Sequence, residues 1–399
     1  MRVLCLTVGP DSEPSSRFRI HQWLEPLRAS GIEVEVRPRA SRRYLELGYG
    51  VHEFPGPIRA GWTAFHFARV CIRRLRDLWD ARRYDLLLLQ KETFPFGMER
   101  LLSFFGLRPV FDIDDAIQLR PDLAHGIGHR LQALADFVTR RDRALPSLLS
   151  RCHSVLAGSP NLAAYARNHC EHVRLLPTVV ETRRYRVRPV ERTGPLTLGW
   201  IGAPPNVVYL EPLRPVLTKL AERFPLRLLL IGPARFECPG VEVRCHPWRH
   251  YESVEEEVAD LHQFDIGLMP LRDDAFAAAK CALKAIQYMA CGIPVVASPV
   301  GVNPEVVGDG VCGYLPRSQA EWYERLSQLL QDPDLRQRLG EAGRARAEAR
   351  YSVCAALPTL VEALREAAAA QPGKRRTSPS MIISTASARE KFPVLSERS

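Results

Sequence analysis

Lysine is scarce in this chain: only six of its 55 basic side chains are lysines, and arginine makes up the rest. Apolar runs long enough to span a bilayer, roughly 18–20 residues, are also missing. The opening stretch Met1-Arg-Val-Leu-Cys-Leu-Thr-Val-Gly9 is too short for a secretory signal and reads as a first strand, so the cytoplasm is the expected location. There are ten cysteines but no CxxC pair. The one tempting group, Cys238, Cys245, His246 and His250, fits no common zinc spacing, so buried free thiols are expected and no metal. The loop after the first strand lacks GxGxxG, which removes support for a dinucleotide site there. Neither an aromatic-basic RNA signature nor a zinc-finger spacing occurs, so nucleic acid is not an expected partner. The net charge of +10 leaves open an attraction to nucleotide phosphates or to an anionic membrane surface, the latter as a peripheral contact.

At 399 residues the chain exceeds one ordinary core, and its 46% hydrophobic, 25% charged composition is that of a globular protein. Apolar strand-like runs alternate with helical patterns throughout, the signature of doubly wound α/β domains. A first domain over residues 1–185 and a second over 186–370 are expected. The polar, Arg- and Pro-rich stretch 181–195 has linker composition, and the basic tail 371–399 reads as disordered. In the first half, a strand over 2–8 leads through a polar turn into a helix from about Arg17 to Ala29. Ser15, Ser16 and Arg17 stand where that loop enters the helix, either facing a cleft or, for Ser16, acting as a cap. Tyr84–Gln90 reads as a buried parallel strand with Lys91 just beyond its carboxyl end.

The strand Pro109–Asp115 ends in three carboxylates. Asp112-Ile-Asp114 resembles a DxD that holds a divalent ion on a diphosphate. Alternation along a strand would point Asp112 and Asp114 together and Asp115 opposite. A cleft role without metal, orienting an acceptor hydroxyl, is the favoured expectation, and capping of the next helix is the bland one. In the second half, strands are expected at Leu196–Ile201, Leu226–Ile231 and Asp265–Pro270, and Ser253 with Glu256 forms a capping box.

The densest signal is Lys280–Glu305. If Lys280–Met289 is helical, Lys280, Lys284 and Gln287 share one face, because seven residues return to within about 20° of the start. Gly292 suits the helix C-terminus, Pro294 prevents continuation, and Val295–Ala297 reads as a short buried strand before Gly301. Two of six lysines on one helix face at a strand end favour phosphate over a merely solvated surface.

This stretch, Lys280-x3-Lys284-x2-Gln287-Tyr-Met-Ala-x-Gly292-x-Pro294-Val-Val-Ala-Ser-Pro-Val-Gly301-Val-Asn-x-Glu305, resembles the GT-B glycosyltransferases of the family 4 ("group 1") type. Gly199-Trp-Ile-Gly202, Ile231-Gly232 and Asp265–Pro270 support the resemblance, which covers most of residues 194–365. It implies two Rossmann-like domains facing across a cleft, with a nucleoside-diphosphate-sugar donor held by the second. The reaction implied is metal-independent transfer with retention to a glycan or lipid-linked acceptor. The sugar nucleotide is the substrate, and no further cofactor is implied. Gly202, Asn206, Gly232, Gln287, Gly301, Val302, Asn303 and Glu305 fall at the implied donor positions. Lys280 and Lys284 would hold the diphosphate, with Asp112 and Asp115 also in the catalytic set. Ser16, Arg17, Lys91 and Asp114 would line the acceptor side. Two departures stand out: the E-x7-E pair of the family is Ala279 and Gln287 here, and the loop after Gly202 has no Arg or Lys. They motivate a second reading, a nucleotide-sugar-binding protein of the same fold without catalysis.

Overall fold

The computed structural model describes residues 1–39, 56–119, 141–188, 194–233, 235–247, 251 and 253–371. The tail expected to be disordered lies almost wholly outside the described residues, as does His250. Two sheets of six parallel strands organise the chain. The first runs in the order β2-β1-β3-β4-β5-β6, formed by Arg2–Thr7 (β1), Glu33–Pro38 (β2), Leu86–Gln90 (β3), Val110–Ile113 (β4), Ser154–Ala157 (β5) and Val173–Leu175 (β6). The second runs β12-β11-β10-β7-β8-β9, from Leu196–Ile201 (β7), Leu226–Gly232 (β8), Glu242–Pro247 (β9), Ile266–Met269 (β10), Val295–Ala297 (β11) and Gly313–Tyr314 (β12). Central strands such as β3 and β11 are buried along their whole length, because helices cover both sheet faces. Strand order reverses at β1/β3 and at β7/β10, and such reversals open a crevice at the strands' carboxyl ends.

Several expected helices are interrupted, and proline explains two of them. The single helix expected from Arg17 to Ala29 is instead Pro14–Arg19, a tight turn at His21–Trp23, and Leu24–Ala29. In a continuous helix the Pro26 ring would strike the Gln22 carbonyl, so the helix restarts with Pro26 in its first turn. The helix expected from Tyr209 begins at Arg214, with Pro215 in its first turn. The N-cap half of the expected capping box is present: Ser253 Oγ accepts from Glu256 N at 3.3 Å and starts Val254–Leu261.

The chain crosses between the domains twice. The last helix, Val353–Ala369, leaves the second half and packs Val353, Leu360 and Leu364 against Val3, Leu86 and Leu88 of the first sheet. At the crossing Val180 N donates to Tyr351 O at 2.9 Å, and Val353 N donates to Val180 O at 3.2 Å. The two passages are therefore stitched together. Among the described residues, no helix is long and apolar enough to cross a membrane.

Candidate functional site

A cavity of about 270 Å³ lies between the carboxyl ends of the two sheets. Ser15, Phe18, Lys91, Asp114 and Asp115 line it from the first domain. Gly202, Asn206, Lys280, Cys281, Lys284 and Gln287 line it from the second. A larger cavity of about 410 Å³ sits at the opposite, amino ends of β7 and β8, beside Arg188 and Asp265, away from any strand end that delivers a ligand.

The seam around the cavity is made by exchange. Ala279 and Cys281 of the second domain join the first domain's apolar cluster, and Phe18 of the first joins the second's, beside Ile201, Met269 and Ile286. Ser159 Oγ donates to Ala279 O at 2.9 Å, Asn161 Nδ2 donates to Ala278 O at 2.8 Å, and the Cys281 thiol donates to Asp114 O at 3.1 Å. Burial, and then the Asp114 charge, push the Cys281 thiol up to about 12, so it stays protonated. A Cβ on Gly158 would stand 2.6 Å from that sulfur, which is why the first domain places glycine there.

This pinning changes the lysine helix. It begins at Leu283 rather than Lys280, after Ala282 in the left-handed region (φ 55°). Lys280 thus lies on the incoming loop, and the common helical face expected for residues 280, 284 and 287 is corrected to Lys284 and Gln287 alone. Both lysines still reach the cavity. Lys280 Nζ lies 4.6 Å from the Phe276 ring centroid, and Lys284 Nζ lies 4.0 Å from that of Trp200. Neither has a carboxylate partner among the described residues. Desolvation, and then the Lys280 charge, push the Lys284 ammonium well below its ordinary value. A Cβ on Gly202 would come within 2.6 Å of Lys284 Nζ, so glycine leaves room for this cation at the end of β7.

The opposite wall is balanced. Lys91 Nζ lies 3.3 Å from Asp114 and 3.8 Å from Asp115. Ser15 Oγ donates to Asp114 at 2.7 Å. Burial opposes the Asp114 charge, yet Lys91, Arg19 and the Ser15 hydroxyl hold its carboxyl below the usual range. Burial likewise opposes the Lys91 charge and is outweighed by Asp114 and Asp115.

Three first-domain positions need correction. Asp112 does not face the cavity: it is 1% exposed and paired with Arg19, whose Nε donates at 3.0 Å and whose Nη1 holds Leu176 O at 2.9 Å. The strand ends at Ile113, so alternation does not extend to the last two carboxylates, and Asp114 and Asp115 turn together toward Lys91. Ser16 is neither a cap nor a cleft residue. It is buried inside the helix and donates to Gln90 Oε1 at 3.2 Å, while Ser15 beside it reaches the cavity. Arg17 crosses to the second domain, where Nη2 donates to Glu257 at 2.8 Å.

On the donor side, Gly202, Asn206 and Gln287 line the cavity, whereas Gly232, Gly301, Val302, Asn303 and Glu305 do not. Asn303 is buried with Nδ2 donating to Ser298 O at 2.9 Å, and Glu305 is exposed. Gly301 turns at φ 59° against Ala278, whose carbonyl a Cβ there would meet at 2.5 Å. Sequence reading missed Cys281, Glu257 and Thr178 at the cavity. Cys281 is flanked by the two lysines and was within reach of inspection, but nothing local marks Glu257, which a capping helix brings from far along the chain. Among the described residues no group of three His, Cys, Asp or Glu side chains could hold a metal ion.

Two parallel α/β domains with facing strand ends and a cavity between them are the GT-B glycosyltransferase architecture. Residues 196–332 match the model of the family described as "Glycosyl transferases group 1", so the second domain carries that signature. The fold is similar to sucrose-phosphate synthase from Thermosynechococcus elongatus (TM-score 0.60, 16% identity, 93% of this chain and 100% of that one). It is also similar to Anabaena HepE in complex with UDP-glucose (TM-score 0.57, 18% identity, 92% and 100%). Among curated proteins, the MMP alpha-(1->4)-mannosyltransferase of Mycolicibacterium hassiacum is 40% identical over 98 residues. That match spans 24% of this chain and 23% of the relative's length.

Proposed function

We propose that the protein is a retaining glycosyltransferase: the cleft binds a nucleoside-diphosphate sugar and transfers the sugar to a hydroxyl of a glycan or lipid-linked acceptor without a metal ion. The observation that carries this reading is the surplus of positive charge on one wall, Lys280 and Lys284 without carboxylate partners at the carboxyl end of β7. Two ammonium groups in a part-desolvated cleft neutralise a departing diphosphate and require no reorganisation as charge develops.

In the step proposed, the bond from the anomeric carbon to the diphosphate oxygen breaks as the acceptor oxygen bonds to the same face of that carbon. The acceptor proton passes to the leaving phosphate, so no strong protein base is needed. Asp114, kept ionised by Lys91, accepts from the acceptor hydroxyl and positions it, and Asp115 stands beside it. Gln287 takes the second position of the E-x7-E pair, and its amide Nε2 already donates to Tyr185 at 3.1 Å, leaving its carbonyl oxygen for a ribose hydroxyl. Sugar recognition does not come from position 279, because Ala279 is buried against the first domain.

That same feature favours the second reading, a nucleotide-sugar-binding protein without turnover. Titration with UDP- and GDP-sugars, with hydrolysis followed in parallel, separates the two. Binding with slow hydrolysis supports the transferase, whereas binding without turnover under every acceptor tried supports the binding protein. Lys280→Ala and Lys284→Ala should each abolish measurable sugar-nucleotide binding, and unchanged affinity would remove the phosphate assignment.

A further inference from the structure

The long helix Gly56–Ala81 covers one face of the first sheet and buries Val70, Arg74, Asp77, Leu78 and Ala81. Its outer side is unusual. At 100° per residue Phe65, Ile72 and Trp79 fall in one line, seven residues apart, with Leu75 beside them. Phe65 is 68% exposed, Ile72 67% and Trp79 50%. The ridge continues onto neighbouring segments: Phe67 meets Phe96 at 5.7 Å, and Trp79 meets Phe105 at 5.8 Å, beside Phe104, which is 80% exposed.

The net charge on this side is positive. Arg69, Arg73 and Arg76 are exposed on the same outer arc, and none has an ion-pair partner among the described residues. Of the helix's two acids, Asp77 is buried and pairs with Arg74 at 2.9 Å and Arg37 at 3.0 Å, while Asp80, half-buried between Arg69 and Arg73 on this arc, is neutralised by Arg37 of the edge strand at 2.9 Å. Arg82 folds its guanidinium over the Trp79 ring at 3.3 Å, covering the indole with a cation that can reach outward.

We propose that this ridge docks the first domain on an anionic lipid surface. Bulky apolar side chains in a line, flanked by unpaired arginines of one sign, match the interface between acyl chains and negatively charged headgroups. The core of a protein interface, by contrast, excludes charge, and a second copy of this chain would set the same arginines against one another. The surface stands independently of the sugar-nucleotide reading. It adds a consequence only if that reading holds. The helix enters from the carboxyl edge of the sheet, and Phe96 follows β3, so the ridge starts beside the mouth that carries Lys91 and Asp114 and would present that mouth to a lipid-linked acceptor.

The test is co-sedimentation of the full chain with vesicles of phosphatidylcholine alone and with phosphatidylglycerol added. The proposal expects salt-sensitive binding to the anionic vesicles only. The variants F65S/I72S/W79S and R69Q/R73Q/R76Q should each lower partitioning at least ~10-fold, with melting temperature and sugar-nucleotide affinity unchanged. Lys280→Ala should bind vesicles as the wild type does, which keeps failure here distinct from failure of the donor site. Absence of anionic binding, full retention in either triple variant, or a concentration-dependent dimer that the apolar variant abolishes would each overturn the proposal.

Discussion

Arg17 of the first domain donates to Glu257 of the second at 2.8 Å, and the pair is mostly buried. Behind it the Tyr185 hydroxyl donates to the other Glu257 oxygen, and Gln287 donates to Tyr185 at 3.1 Å. The helix Leu283–Ala290 is thereby wired to the first domain through four side chains. Removing one partner of a buried pair leaves an uncompensated charge, so Glu257→Ala should cost about 3–5 kcal/mol. Replacing both Arg17 and Glu257 with Met should recover most of that loss. Urea unfolding of the single and double variants checks this, and a single variant within experimental error of wild type would dismiss the network as ornamental.

Lys284 sets a pH dependence with opposite signs for stability and for binding. Its folded value is depressed well below the ordinary 10.5 by desolvation and by Lys280. Between the two values the unfolded chain binds more protons than the folded one, so stability rises with pH through that window and is lost again on the way down. Diphosphate favours the ammonium, so affinity should fall as pH rises above the folded value, and binding within the window should take up a proton. Calorimetry in buffers of different ionisation enthalpy on the wild-type protein measures that uptake, and Lys284→Met should raise the melting temperature while it abolishes binding. A binding enthalpy that ignores the buffer would refute the coupling.

Neighbouring carboxylates on one strand end should respond to substitution in different ways. Asp112→Asn breaks the buried contact with Arg19, with an expected loss of about 3–5 kcal/mol of stability. Asp114→Asn keeps its hydrogen-bonding shape but loses the charge that Lys91 and Ser15 support. That variant should fold and bind donor normally while transfer falls roughly 100-fold. Circular dichroism and transfer assays on both variants make the comparison; a folded, inactive Asp112→Asn would reverse the assignment.

The architecture was readable because periodicity reports burial. The runs at Leu86–Gln90, Leu196–Ile201 and Val295–Ala297 became strands close to where alternation and turn signals placed them. The lysines at 280 and 284 were legible as a cation pair at a strand end. What local pattern could not show was pairing across the fold. Asp112 looks no different from Asp114 until Arg19 arrives from a separate helix to take it. Arg17 looks cleft-bound until Glu257 meets it from the other domain. Likewise, nothing in Lys280–Met289 announces that contacts to Ser159 and Asn161 delay the helix until Leu283.

Helix Val353–Ala369 has a consequence for how the protein is made. Its apolar side chains complete the core beneath Val3, Leu86 and Leu88, so the domain translated first lacks its final covering until the second has been translated. Domains usually mature in order of synthesis. Here the amino-terminal one must wait, exposing the underside of its sheet throughout translation of the second. A stop codon immediately before this helix would leave the second domain's strands and helices complete and the first domain's core uncovered.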